Sequence, residues 1–297
     1  MSPTVAVVAH RKKTLGAGLD RLRVLVSEQD VGDLLWYEVP KSRKARKKVR
    51  DALRRGADLV FVWGGDGMVQ RCADAMATSG VPMAILPAGT ANLFAGNLGI
   101  PADLEEAVHI GFHGRREKLD LGLLNGEHFA VMAGAGFEAE MIADADGQAK
   151  RRLGRLSYVK AAVRHVGGPL VPMKIKVDGV TWFDGEASCL LLGNVGTIAG
   201  GIEAFDDARP DDGWLEVGVS TAKGPVQWAR VLGKMATGRS EESPFVRITR
   251  ARTVSARFGS PLMYELDGGE REATTRLKAK AVPGALTVCL PETIEGS

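Results

Sequence analysis

VFVWGGDGM (Val60–Met68) and AILPAGTANLFAGNLGIP (Ala84–Pro101) are two apolar runs that each stop abruptly at a glycine turn. Leu59–Trp63 is five apolar residues, several β-branched or aromatic, which is the pattern of a short buried strand. It ends at Gly64-Gly65, and Gly67 follows Asp66. Without a Cβ, these glycines let backbone N–H groups close on an anion. Asp66, inside the turn, is positioned to hold Mg²⁺ or a ribose hydroxyl. From Met68 to Thr78 the spacing is helical, so the loop feeds a helix N-terminus, where phosphate is stabilised. The second run repeats the plan: Ala84–Leu86, then Pro87, then Gly89-Thr90 before another helix. Two strand–glycine turn–helix units so close together point to a phosphate-bearing nucleotide.

The alternation extends outward. Strands are expected at Val5–Ala9, Leu34–Val39, Leu59–Trp63 and Met83–Leu86. Helices are expected near 16–29, 42–55, 68–79 and 91–97, with Gly16-Ala17-Gly18 as a further turn after a strand. Alternating strands and helices imply a parallel sheet with crossover helices, whose ligands bind beyond the carboxyl ends of the strands. From Lys118 short strands dominate: Leu119–Leu124, Glu127–Ala133, Met173–Val177, Gly185–Leu192, Trp214–Ser220, Val246–Thr249, Thr253–Phe258, Leu262–Leu266, Thr275–Lys280 and Ala285–Leu290. Helices are expected among them near 138–147, 152–166 and 225–238. The fold class is therefore an α/β N-terminal domain with a parallel sheet, followed by a mainly antiparallel β-sandwich-like domain. The expected domains are 1–110 and 111–285, with the tail 285–297 returning to the first.

Composition constrains the setting. The chain has 297 residues, 45% hydrophobic and 25% charged, ordinary for a globular protein of two domains. Cys72, Cys189 and Cys289 are far apart among apolar neighbours, as expected of reduced thiols in cores. The N-terminus lacks a charged region before a long apolar one, and no apolar run approaches the ~18–20 residues of a membrane span. A cytoplasmic protein with peripheral membrane contact is expected. Net charge is +3, but Lys41–Arg55 holds nine Lys/Arg against the single acid Asp51. Arg11–Lys13 and Lys150–Arg152 with Arg155 are further basic clusters. Each reads as a solvated face or as a field drawing ATP and anionic head groups. No aromatics interleave with the 41–55 charges, which argues against nucleic acid.

GGDG followed by LPAGTAN resembles the diacylglycerol kinase catalytic domain, in the superfamily shared with sphingosine kinases and NAD kinases. Within it, the chain is most similar to soluble bacterial lipid kinases, over nearly its whole length. Neither a P-loop nor a Rossmann glycine pattern fits these residues. The resemblance implies that Gly64, Gly65, Asp66, Gly67, Met68, Gly89, Thr90 and Asn92 contact the nucleotide. Thr90 is either a phosphate donor or a helix N-cap, and Asn92 is either a nucleotide contact or a cap. Three departures stand out: Met68 replaces the family threonine, His10-Arg11-Lys12 its Asn-Pro-type turn, and Leu93 its usual acid.

Three further segments carry acids. Asp120, in KLDLG (118–122), sits in an apolar strand, a costly position for an unpaired charge. By resemblance it joins Asp66 through water or Mg²⁺. MYELDGGE (263–270) matches the family Asp-Gly-Glu with one extra glycine, and implies Glu270 as general base with Asp267 as its partner. Either a glycine bulge re-aims Glu270, or Asp-Gly-Gly is a plain hairpin turn with both acids solvated. ARPDDGW (208–214) resembles a structural Mg²⁺ turn, implying Asp212 and the main-chain oxygens of Arg209 and Trp214 as ligands, and is equally a good turn sequence. His109 and His113 lack a third metal ligand and read as surface histidines. The expectation is an ATP- and Mg²⁺-dependent lipid kinase acting at an anionic membrane surface, most simply on diacylglycerol. NAD, a sphingoid base or another lipid alcohol are the alternative acceptors, a catalytically weakened binding protein is a further alternative, and homodimerisation is left open.

Overall fold

The computed structural model describes residues 2–136, 170–198 and 202–292. The chain divides into two compact units, Met1–Leu119 with Gly284–Ser297, and Asp120–Pro283.

The first unit is built on four parallel strands in the order β2-β1-β3-β4: β1 (Val5–His10), β2 (Leu34–Val39), β3 (Leu59–Gly64) and β4 (Met83–Pro87). A parallel sheet covered on both faces reads as continuous apolar runs. Val5–Ala9 and all six residues of β3 are buried accordingly. The interleaved helices are α1 (Leu19–Ser27), α2 (Ala45–Arg54), α3 (Asp66–Met76), α4 (Leu93–Asn97) and α5 (Leu104–His113). A helix near 16–29 thus starts only at Leu19, because Gly16 and Gly18 both take positive φ. Asp103 caps α5 by accepting from the Glu106 amide at 2.9 Å. One core cluster joins Val7, Leu22, Phe61, Trp63, Leu86 and Leu104. The returning tail adds a parallel partner beside β4, with Val288 opposite Met83.

Strands β5 (Arg115–Leu124) and β16 (Gly269–Leu290) carry the chain from one unit to the other. The second unit has β6 (Glu127–Phe129), β7 (Met132–Ala135), β8 (Val171–Val177), β9 (Val180–Ala187) and β10 (Cys189–Gly193). There follow a minor pair, β11 (Thr197–Ile198) and β12 (Ile202–Glu203), then β13 (Leu215–Ser220) and helix α6 (Gly224–Met235). Strands β14 (Val246–Ala251) and β15 (Thr253–Leu266) lead into β16. The strand order β14-β13-β10-β7-β15-β16 is antiparallel throughout, with β8 also on β15 and β9 on β8. Period-two alternation puts Met173, Ile175, Val254, Ala256, Phe258 and Leu277 into one core.

The α/β unit and the antiparallel β-rich unit are the fold class expected, with boundaries that differ in instructive ways. Thr253–Phe258 and Leu262–Leu266 are one strand, with a register irregularity after Arg257 where Gly259, Ser260 and Pro261 intervene. Thr275–Lys280 and Ala285–Leu290 also run together, in β16. Gly185–Leu192 instead breaks at Ser188, whose amide and hydroxyl both donate to the Ser220 carbonyl. Glu127–Ala133 breaks at Ala130-Val131, whose amides are taken by an aspartate described below. The helices expected near 138–147 and 152–166, and the Lys150–Arg155 cluster, lie outside the described residues. All three cysteines are buried free thiols. Among the described residues no helix is long and apolar enough to cross a membrane.

Candidate functional site

In the first unit β1, β3 and β4 end side by side, and their loops meet at the glycine turns. Gly65 and Gly89 face each other so closely that a Cβ on Gly89 would lie 2.3 Å from the Gly65 Cα. A Cβ on Gly65 would lie 2.9 Å from the Gly89 Cα. The two motifs are thus one structure, backbone against backbone, with α3 starting at Asp66 immediately after the turn. The Ala88 amide donates to the Gly64 carbonyl at 3.0 Å and locks the turns together.

Asn92 holds the second loop in shape. Its Oδ1 accepts from the Gly89 amide at 2.8 Å, and its Nδ2 donates to the carbonyls of Pro87 (3.1 Å) and Gly89 (3.0 Å). It makes no side-chain cap bond to α4, and its left-handed φ of 50° is the price of this bracing. Thr90 and Gly67 are exposed, and Thr90 remains the hydroxyl presented by the loop.

Asp66 is mostly buried rather than displayed on a surface turn. Its Oδ1 accepts from the amides of Leu93 (2.6 Å) and Phe94 (3.4 Å), tying the first glycine turn to the start of α4. Burial raises its pKa, and these amide bonds oppose the rise. Met68 departs further from expectation. Its side chain is 2% exposed and lies within 2.5 Å of where a Gly64 Cβ would be, so it belongs to the core under the loop. Met68 therefore offers the loop only its backbone. His10, whose Cβ lies near the Gly64 turn, has its pKa lowered by burial and by Lys13.

The second unit collects the other acids. Asp267 and Gly268 are the two central residues of the β15–β16 hairpin, with φ of 47° and 74° and with Leu266 paired to Gly269. Positive φ at both positions is the mark of a type I′ turn, which Asp-Gly favours. Gly269 lies in the ladder, so the bulge that would re-aim Glu270 is absent. Asp267 is not solvated: its carboxylate accepts from the amides of Ala130 (2.7 Å), Val131 (2.9 Å) and Met132 (2.9 Å). It fixes the gap between β6 and β7. Asn194, buried beside this gap, donates to the carbonyls of Asp120 (3.0 Å) and Ala130 (2.9 Å).

Sequence reasoning missed Glu265. It is 3% exposed, yet among the described residues neither carboxylate oxygen has a hydrogen-bond partner. It stands directly opposite exposed Glu270 in the β15–β16 ladder. Burial first, then the charges of Asp267 and Glu270, push its pKa up to about 7. Its signal was faint: by period two Glu265 shares a face with exposed Met263, opposite to core-facing Leu266, and only the fold buries it.

Asp120, also buried, accepts from the Gly213 amide at 2.6 Å, while its own amide donates to the Pro210 carbonyl at 2.6 Å. It pins the 209–214 turn. In that turn Asp212 accepts from the Trp214 amide at 3.0 Å and pairs with the Arg250 guanidinium, which also reaches Glu216 at 3.0 Å. Both Asp212 oxygens are thereby engaged, and the positive charge is supplied by arginine. A Mg²⁺ ligand set of Asp212, Arg209 and Trp214 does not fit this arrangement. The described residues contain no group of three or more His, Cys, Asp or Glu able to hold a metal. Asp66 is different: the Leu93 and Phe94 amides both fall on its Oδ1, and one carboxylate with substrate phosphates is how Mg²⁺ is commonly held.

Comparison with known proteins agrees with this construction. The family description "Diacylglycerol kinase catalytic domain" matches residues 7–124, and "YegS C-terminal NAD kinase beta sandwich-like domain" matches 130–290. A Pseudomonas aeruginosa protein named "Probable lipid kinase YegS-like" is 32% identical over 97% of this chain and 94% of its own. A Mycobacterium tuberculosis "Diacylglycerol kinase" is 28% identical over 83% of this chain and 81% of its own. The crystal structure of a diacylglycerol kinase from Bacillus anthracis has the same fold, with a TM-score of 0.78, 24% identity and 98% of each chain covered. The chain belongs to the YegS-like lipid kinase family, with a diacylglycerol kinase catalytic domain followed by a β-sandwich-like C-terminal domain.

Proposed function

We propose that this chain transfers the γ-phosphoryl group of ATP to the hydroxyl of a membrane lipid, with diacylglycerol as the leading acceptor and phosphatidic acid as the product. The observation that carries the reading is the apposition of Gly65 and Gly89. Two glycine turns packed backbone against backbone, at the carboxyl ends of parallel strands and at the start of α3, suit a phosphate chain.

Phosphoryl transfer mostly requires positioning and charge neutralisation. The turn amides and the Thr90 hydroxyl would orient the phosphates, with Asn92 keeping that loop rigid. Asp66 would be the carboxylate that holds Mg²⁺, and the ion when bound neutralises phosphate charge. Glu270 would take the acceptor's hydroxyl proton as its oxygen bonds to phosphorus and ADP departs. Asp267 is then a positioning residue that fixes the hairpin and the 130–132 segment. Asp120 pins the 209–214 turn. Cytoplasmic residence with peripheral membrane contact follows from the same reading.

The test is incubation with γ-labelled ATP and a total lipid extract, followed by identification of the labelled product. Label in phosphatidic acid is expected. Label confined to NADP when NAD is supplied would replace lipid by NAD as the acceptor, and label in neither would leave a binding protein.

A further inference from the structure

The sheet of the second unit has one face in the core; its other face is a field of cations that the basic clusters seen in sequence did not include. Ladder register puts Arg257 of β15 directly between Lys174 of β8 and Arg276 of β16. One step along, Ser255 lies between Lys176 and Lys278, and beyond that Thr253 pairs with Lys280. All six cations are exposed, while the alternating residues Ile175, Val254, Ala256, Leu277 and Ala279 are buried.

Few acids answer them. Asp184 pairs with Lys174 at 2.7 Å, and the Asp178 carboxylate is occupied by the amides of Arg252 and Thr253 and by the Thr253 hydroxyl. Glu186 is at the far end, abreast of Pro172. Among the described residues the other five cations are in no ion pair. Like charges directly abreast on neighbouring strands destabilise a sheet. With strands ~4.8 Å apart, a three-strand row fits within about a Debye length, so salt screens the repulsion only in part. Such a face is favourable when an external anionic surface covers it.

A cavity of about 570 Å³ opens on this face, lined by Lys176, Lys278, Lys280, Asn125, Thr253 and Ser255. Its size and its three ammonium groups beside the Ser255 hydroxyl suit a phosphodiester head group. Gly179 of the β8–β9 hairpin also borders it, and the next residue, Val180, is 71% exposed, an apolar side chain at the tip. Cations beside an exposed apolar tip are the signature of an interfacial surface. The six cationic positions interleave with serine and threonine, not with aromatics on which bases could stack.

We propose that the outer face of β8, β15 and β16 is the surface by which this chain docks on a bilayer containing anionic phospholipid. The proposal rests on the reading that the acceptor is a membrane lipid, and it assigns docking to this sheet rather than to α2.

The test is co-sedimentation of the full chain, without ATP, with vesicles of phosphatidylcholine plus phosphatidylglycerol, against phosphatidylcholine alone. Binding only to the anionic vesicles, weakening with salt, is expected. The triple variant Lys176→Gln, Lys278→Gln, Lys280→Gln should lower partitioning by about 10²-fold, each lysine counting about fivefold near an anionic surface. Val180→Ser should add a smaller loss. A charge-matched control on α2, Lys44→Gln with Lys47→Gln and Arg50→Gln, should bind within about twofold of the parent, since α2 is assigned no share of the surface. Thermal melting of each variant shows whether it is folded, and exposed Lys→Gln changes should leave it unmoved. Equal binding by parent and triple variant, an equal loss in the α2 control, or no binding by the parent would overturn the proposal. So would a triple variant that loses affinity only for a single-stranded oligonucleotide. Because sedimentation needs no turnover and lipid labelling needs no vesicle affinity, failure of the docking face and failure of the kinase reading are told apart.

Discussion

Replacing Glu265 by glutamine should stabilise this protein in alkaline solution and leave it nearly unchanged in acid. The carboxyl is 3% exposed, has no hydrogen-bond partner among the described residues and has its pKa pushed to about 7 by burial and by Asp267 and Glu270. Since an ordinary glutamate titrates near 4.5, the folded state keeps a proton that the unfolded chain releases between those values. Stability therefore falls as pH rises from about 4.5 to 7, and the loss is complete above 7. At ~1.4 kcal/mol per pH unit the full effect is about 3 kcal/mol. Glutamine keeps the shape and an equally unpartnered polar end, so the difference between the two proteins isolates the charge. At 2–4 °C per kcal/mol, melting of the variant should exceed the parent by about 6–12 °C at pH 8. Near pH 5 the gap should shrink to about 2–3 °C. Scanning calorimetry across this range measures it. Parallel melting curves from pH 5 to 8 would refute the reasoning, because they would require Glu265 to be ionised and solvated, or paired, in the fold.

Gly89→Ala should abolish nucleotide binding, as its Cβ would meet the Gly65 backbone at 2.3 Å and Asn92 Oδ1 at 2.5 Å; unchanged ATP affinity by calorimetry would mean the cradle is not the phosphate site. Glu270→Gln should retain ATP binding and lower lipid phosphorylation ~10²–10⁴-fold, the range of a positioned base, and normal turnover would move the base elsewhere. Met68→Thr should leave ATP affinity unimproved and cost about 1–3 kcal/mol in stability, because it places a hydroxyl in a buried apolar site. Deleting Gly269 should impair folding rather than restore activity, since it sets Glu270 opposite Leu266 and turns the downstream side chains over; a fully active deletion would show that a bulge absorbs the change.

The first unit was largely legible because its signals are local. Val5–Ala9 and Leu59–Trp63 are unbroken apolar runs, and Gly64-Gly65 and Gly89 end their strands in the same short span of chain that the structure uses. What the sequence concealed there is direction. Met68 and Asp66 both follow the glycine turn, but the first turn of α3 sends the methionine into the core and the aspartate toward the amides of Leu93 and Phe94. No periodicity within nine residues reveals a partner 27 positions away. The second unit was legible in its strands and much less in its breaks, because each break is set by a distant group. Asp267 divides β6 from β7 across more than 130 positions, and the Ser220 carbonyl divides β9 from β10.

The acids show the same limit from the side of chemistry. The fold gives Asp66, Asp120, Asp212 and Asp267 each a defined set of donors. Three of the four hold backbone amides from other loops, and Asp212 holds its own turn and Arg250. A carboxylate satisfied by amides and guanidinium is restrained in place, which suits positioning more than proton transfer. Glu265 and Glu270 are the contrast. They face each other across one rung of the ladder, one buried and unpartnered, the other exposed, and no local motif singled out their pairing. Proton chemistry needs carboxylates that the fold has not already satisfied, and by that criterion this cross-strand pair has the better claim than the aspartates whose oxygens are filled.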